Sequence, residues 1–214
     1  MTPNELAARH PRLFHVTEPG AWPSIERHGL LSTNAALVHF DAPRDIIAKV
    51  SAHPRPATIT LDHPENGTLI LNDQLPLNEK ALTACLDGGL SPQDWLRILN
   101  DRVFFWPDEA NLERLLGARI NRGRTRDVLV FDTLSLAQAA HDRMELSPIN
   151  SGATIRKPAR RGPETFTPIS ALSYRNWQRK RGRRDTVREV TVLHALSNPG
   201  AHLLEIRSHH SATT

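Results

Sequence analysis

The sequence predicts an α+β fold, on three observations. Amphipathic helical patterns crowd the first half of the chain, and strand-like runs are scattered through it rather than alternating strictly with helices. Asp127–Asp132 (DVLVFD) is apolar on both faces, as a central, two-sided strand requires.

The stretch that organises the chain is Leu13–Thr33. In Leu13–Thr17 the residues Leu13, His15 and Thr17 share one strand face and Phe14 and Val16 the other. A strand with His and Thr on one face is built to present polar groups to a cavity. Pro19 and Gly20 break it, and Trp22, Ser24 and Ile25 fall on a short helix. Gly29 is placed to end that helix in the left-handed conformation. Upstream, residues to Arg9 read as a short helix capped by Thr2 or Asn4.

Thr33 can cap a helix through Phe40, and Asp41-Ala-Pro opens another through Ile46, Ile47 and Val50. Two strands, Ala57–Leu61 and Thr68–Leu71, flank the turn Asp62–Gly67. Helices follow at Asn78–Leu86 and at Pro92–Asn100, the second with Ser91 as cap and Pro92 at the first helical position. Arg102–Trp106 is a short aromatic strand stopped by Pro107, and Asp108–Leu116 a helix ended by Gly117. Arg119–Arg126 is a basic connector. A helix at Ser135–His141 and a strand near Glu145 and Leu146 lead into a long loop, Ser147–Pro168. Tyr174 and Trp177 anchor a last helix, and strands are expected at Thr186–Leu193 and His202–Ile206. The terminal His209-His210 is expected to be disordered.

The length suits one domain, 1–214, with enough residues for a substantial core. No apolar run approaches a membrane span, and the N-terminus lacks the apolar centre of a secretion signal. Cys85 is the only cysteine, which excludes an internal disulfide and fits a reducing, cytoplasmic compartment; its pattern with Leu82 and Leu86 is that of a helix position in the core. The formal charge of +4 hides an asymmetry. Between Arg156 and Arg188 stand eleven Lys and Arg against Glu164 and Asp185, leaving sixteen basic and twenty-one acidic residues elsewhere. Such a segment is either a footprint for DNA or RNA or a solvated helix end.

Phosphate-binding glycine loops, nucleophile elbows and paired zinc cysteines are missing from the sequence, and the eleven histidines show no metal-ligand spacing, so no metal is expected. Glu189 is the informative polar residue. It sits in Val187–Leu193, a run apolar on both faces, where a carboxylate is costly to bury unless paired or used. One reading is a carboxylate at a cleft; the other is an edge strand with Glu189 solvated or paired to an arginine. The aromatic run Phe104-Phe105-Trp106 suits either a core or a stacking surface for a flat ring. Leu146–Thr154, with Ser147, Asn150 and Ser151, offers hydroxyl and amide donors for a ligand or ordinary turns.

Together these pieces resemble a known family. Phe14-His-Val-Thr, a helix carrying Ser24 and Ile25, then Gly29-Leu30, is similar to the opening motif of ADP-ribosyltransferase-like domains. The likeness is closest to the DarT-type DNA ADP-ribosyltransferases and the neighbouring RNA 2′-phosphotransferases. The aromatic strand Arg102–Trp106 and Glu189-Val190 follow in the order of that pattern. The whole chain also looks like members of an uncharacterised bacterial domain family with HVT, RVFFW and LSPINSGAT blocks.

The resemblance implies a split β-sheet core with flanking helices and an NAD-dependent transferase. NAD is then the substrate, bent across the split, with His15 and Thr17 on its nicotinamide and ribose side. Ser24, Gly29, Ser147, Asn150 and Ser151 line it, and Phe105 or Trp106 packs on the nicotinamide. Glu189 holds the nicotinamide ribose and stabilises the oxocarbenium-like transition state, the task of a glycosidase carboxylate. The pattern places an arginine after the opening helix, for which Arg102 is preferred to Arg44. Val187 stands where arginine-modifying toxins carry Glu or Gln, which favours a nucleic-acid acceptor over a protein arginine. A toxin or defence-type effector is implied, with an antitoxin or immunity partner. The alternatives are a non-catalytic nucleotide- or nucleic-acid-binding module, and an RNA 2′-phosphotransferase-like enzyme.

Overall fold

Local rules set most element boundaries. The structure, a computed structural model, describes residues 1–75, 77–155, 157–171, 173–181 and 187–210. α1 (Pro3–Ala7) starts at a capping box in which Thr2 and Glu5 satisfy each other's amides. β1 (Arg12–Thr17), α2 (Trp22–His28), β2 (Leu30–Leu31), α3 (Thr33–His39) and α4 (Arg44–Ala52) follow. The hairpin of β3 (Ile59–His63) and β4 (Gly67–Leu71) leads to α5 (Glu79–Cys85), α6 (Pro92–Asn100), β5 (Arg102–Phe105) and α7 (Glu109–Leu116). Next come β6 (Thr125–Asp132), α8 (Thr133–Ala139) and β7 (Met144–Ser147). A long loop runs to β8 (Thr167–Pro168), followed by α9 (Tyr174–Arg181), β9 (Glu189–Leu193), β10 (Ala195–Leu196) and β11 (Leu203–His210).

The architecture is α+β, with several small antiparallel sheets. One sheet has the order β1-β6-β11 and another β5-β9-β7-β8, while β10 pairs β2 and β3 pairs β4. The two larger sheets meet at a backbone bridge. Phe14 N–H donates to the Trp106 carbonyl (2.9 Å) and Trp106 N–H to the Phe14 carbonyl (2.8 Å).

Alternation along these strands builds three apolar layers. Leu13, Leu129 and Phe131 from the first sheet pack with Val103, Phe105, Val190 and Val192 from the second, closed over by Leu6 and Leu136 of the helices. The opposite face of the first sheet buries Phe14, Val128 and Val130 against Leu112 and Leu116 of α7. The opposite face of the second puts Phe104 against Trp95, Cys85 and Phe166. β6 is therefore two-sided and central, and Cys85 is a buried helix residue, as their patterns predict.

Several boundaries differ from expectation. Ser32, not Thr33, caps α3, its hydroxyl accepting from Ala35 N–H (3.2 Å). His209 and His210 are not disordered but pair in β11 with Arg126 and Thr125. Thr186, the expected start of the penultimate strand, lies outside the described residues. Gly29 has φ +87° but ψ 165°, so it reverses the chain through an extended glycine-only conformation rather than a left-handed helical one. A Cβ there would also stand 3.1 Å from the Leu196 carbonyl oxygen. Gly29→Ala should lose about 1–3 kcal/mol of stability, read as a lower urea midpoint at unchanged slope.

Candidate active site at the junction of the two sheets

A cavity of about 550 Å³ opens beside β1, α2 and the β3–β4 hairpin. The polar face of β1 supplies His15 and Thr17 to its wall, α2 supplies Ser24, and Gly29 and Arg102 complete the residues the sequence singled out here. His15 is held firmly. Its Nδ1–H donates to the Phe104 carbonyl (2.9 Å), and its ring tilts against Phe105 at 5.8 Å. Burial pushes the His15 pKa below its ordinary value, against the carbonyl hydrogen bond that raises it. The ring is thus neutral at pH 7, with Nε2 as its acceptor.

Arg102 lines this cavity but is committed elsewhere. Its Nε donates to Glu145 Oε2 (2.8 Å), its Nη1 to the Ile98 carbonyl (2.5 Å), and its guanidinium lies 4.2 Å from the Phe166 ring centre. Its guanidinium is thus held within the protein while the residue stays on the cavity wall. Arg44 is exposed and lines neither cavity. The arginine that sequence reasoning missed is Arg55. It is buried on the cavity wall, donating to the Asn72 carbonyl (2.9 Å) and Asn100 Oδ1 (3.1 Å), with no carboxylate in ion-pair contact among the described residues. Burial lowers its pKa to about 10, partly offset by Asp73. Its loop of prolines and a histidine carried no periodic signal that could have singled it out.

Glu189 opens β9, which lies between β5 and β7, so the edge-strand reading is overturned. The residue is 4% exposed and faces Ser147 across the ladder. Ser151 N–H donates to Glu189 Oε1 (3.0 Å), while Glu189 Oε2 and the Thr191 hydroxyl on the same strand face are buried without a hydrogen-bond partner among the described residues. Desolvation raises the Glu189 pKa to about 7, outweighing the Ser151 hydrogen bonds and the attraction of Arg161. Buried Arg161 organises the loop above, donating to the carbonyls of Ser151 (2.7 Å) and Ala153 (3.1 Å). Ser147 is turned on its own loop, its hydroxyl donating to the Ile149 carbonyl (3.0 Å).

A second cavity, of about 950 Å³, lies on the other side of the junction. Trp106 and Asn150 line it, with Arg188, the residue before Glu189. The two cavities share Val16 and Asn72. Phe105 lines neither; it is fully buried in the core, edge-on to Phe131 at 5.7 Å, and so cannot pack on a ligand. The structure thus groups His15, Thr17, Ser24, Gly29 and Arg102 at one cavity and Trp106 and Asn150 at the other, while Glu189, Ser147 and Ser151 lie together where the loop between β7 and β8 meets β9 and line neither cavity. Among the described residues no cluster of three or more metal-ligating side chains occurs, and no helix is long and apolar enough to cross a membrane.

A family model described as "Family of unknown function (DUF7002)" matches residues 11–203. The chain belongs to this family. The match runs from the residue before β1 to the first residue of β11, and so takes in both cavities and Glu189. Neither the curated proteins nor the solved structures contain a match.

Glu189 makes stability depend on pH. Its folded pKa, about 7, lies above the ordinary value of 4.5, so the folded state binds the extra proton between those limits. Below pH 4 the carboxyl is neutral in both states and costs nothing; the penalty grows as pH rises and is complete above about pH 8, at roughly 3 kcal/mol. Glu189→Gln should therefore gain stability over the parent protein across that window, measured by urea unfolding at pH 5 and pH 8.

Proposed function

We propose that this chain is an ADP-ribosyltransferase that uses NAD as donor and a nucleic acid as acceptor, with Glu189 as its catalytic carboxylate. The observation that carries the reading is the desolvated carboxylate of Glu189, one oxygen of it unpartnered among the described residues, on the residue of β9 next to Val190, where β5 leaves β9 for β1; it lines neither cavity itself. A fold keeps such a group against its own stability where chemistry uses it. The arrangement of two antiparallel sheets meeting at Phe14 and Trp106 supports a split-sheet core of the ADP-ribosyltransferase type.

The residues present fit the donor. A cavity of this size takes a nucleotide-sized ligand. Neutral His15 offers Nε2 to a ribose hydroxyl, Thr17 and Ser24 supply hydroxyls, and buried Arg55, which has no ion-pair partner among the described residues, supplies positive charge for a pyrophosphate. In the reaction the bond from ribose C1′ to the nicotinamide nitrogen breaks, and its electron pair leaves with nicotinamide. The acceptor then bonds to C1′. Glu189 stabilises the positive charge that develops on the ribose, and with a pKa near 7 it accepts the proton the acceptor loses.

The test is transfer of label from NAD labelled in its adenylate phosphate to DNA, RNA or protein, comparing the parent protein with Glu189→Gln. We expect transfer to nucleic acid, reduced at least about 10²-fold in the variant. Binding of NAD with no transfer and no nicotinamide release would leave a nucleotide-binding module instead. Phosphate removal from 2′-phosphorylated RNA in the presence of NAD would replace the reading with a phosphotransferase.

A further inference from the structure

The larger cavity is strongly basic. Seven of its lining side chains are Arg or Lys and a single one, Asp73, is a carboxylate. Three of the seven are already engaged: Arg124 with Asp73 (2.8 Å), Arg126 with Glu18, and Arg161 inside its own loop. Four have no carboxylate partner among the described residues: Arg114 and Arg119 from α7 and the turn after it, Lys157 from the loop between β7 and β8, and Arg188 before β9. They come from three separate parts of the chain to line one cleft. Arg114 and Arg188 donate to neutral oxygens, the Ala110 carbonyl (3.1 Å) and Asn111 Oδ1 (3.2 Å), so their charges stay uncancelled, which marks a site for an anion.

Part of the lining is different in character: half-buried Trp106, with Val16, Leu115 and Ile149, adds apolar surface to the cationic lining. A cleft that combines several cations with an aromatic ring matches a single polynucleotide strand, whose phosphates meet the cations while a base stacks on the ring. A duplex keeps its bases stacked inside and would leave that ring uncovered. Arg188 borders this cleft and Glu189, next in the chain, is the buried carboxylate.

We infer that this cleft binds single-stranded nucleic acid, through Arg114, Arg119, Lys157 and Arg188 on its phosphates and Trp106 on a base. This deepens the transferase reading by giving the acceptor strand its own chamber, and as an acceptor site it rests on that reading. The binding itself is independent of it. The surface overlaps only in part with the basic segment Arg156–Arg188 that the sequence suggested, taking Lys157 and Arg188 from it and Arg114 and Arg119 from outside it. Within that segment Arg160 pairs with Asp87, Arg161 is buried, Arg175 and Arg179 lie exposed on α9, and Arg156, Arg183 and Arg184 lie outside the described residues.

The experiment is fluorescence anisotropy without NAD, using short mixed-sequence single strands of DNA and of RNA, a duplex, and an abasic strand of equal charge. The parent protein should bind at least one of the single strands. The logarithm of its affinity should fall against the logarithm of salt with a slope of about −3, as four neutralised phosphates give. Arg114→Gln combined with Arg119→Gln should weaken binding at least tenfold and reduce the slope by about 1.4. Arg97→Gln, on α6 outside the cleft, should change neither. The abasic strand should bind about fivefold or more weakly, for lack of stacking. Equal binding of duplex or abasic strand, binding unaffected by the double variant, or no binding of either single strand at low salt would overturn the inference. Strand binding by the parent protein with no transfer of label from NAD would overturn the catalytic reading and leave this one standing, whereas transfer without binding that depends on Arg114 and Arg119 would do the reverse.

Discussion

The backbone bridge between Phe14 and Trp106 is the constraint on which the remaining geometry depends. β5 pairs with β9 as far as Phe105 and Val190, and its next residue directs both its amide and its carbonyl to β1 instead. One strand thus belongs to two sheets in succession, and the sheets part where it changes partner. His15 lies on the β1 side of that parting, Glu189 on the β9 side. Two backbone hydrogen bonds contribute only about 1–3 kcal/mol net between them, too little to fix two sheets. What fixes them is the shared layer beneath, where Leu13, Phe105 and Phe131 are fully buried together and the two phenylalanines meet edge to face.

Much of this was legible in the residues because it is local. Period-two alternation placed His15 and Thr17 on one face of β1, and a serine-proline start fixed α6 to the residue. Glu189 stood out because a carboxylate among valines violates the pattern of its strand. Its surroundings were not legible, since whether β9 is an edge or an interior strand depends on β5 and β7, partners more than forty positions away. The aromatic run shows the same limit from the other side. Phe104, Phe105 and Trp106 look equivalent in sequence, yet alternation sends Phe105 into the core while Trp106 reaches a cavity wall.

Charge was the least legible property. A count along the chain located one basic segment, but in space that segment is divided among an ion pair, a buried staple and several surfaces. The basic cleft joins Lys157 and Arg188 of that segment to Arg114 of α7 and Arg119 of the basic connector, which lie roughly forty to seventy positions earlier in the chain. Linear density reports how many charges a segment holds, whereas potential depends on which of them lack a counter-charge and converge.

Among the described residues, Arg55 and Glu189 are buried ionisable side chains without an ion-pair partner, and both are held off their ordinary pKa by desolvation. Each is expensive to a structure with marginal stability, and apolar replacements of similar volume would be favoured if stability alone were selected. Their positions argue against accident. Arg55 borders the cavity that His15 opens on, and Glu189 lies under a loop that Arg161 ties down by its carbonyls. That loop is what keeps the carboxylate desolvated, because its Ser151 amide reaches Glu189 from above while its Ile149 and Asn150 form a wall of the basic cleft. One segment therefore sets both the protonation of the carboxylate and the shape of the neighbouring chamber. A ligand that rearranged it would change the two together.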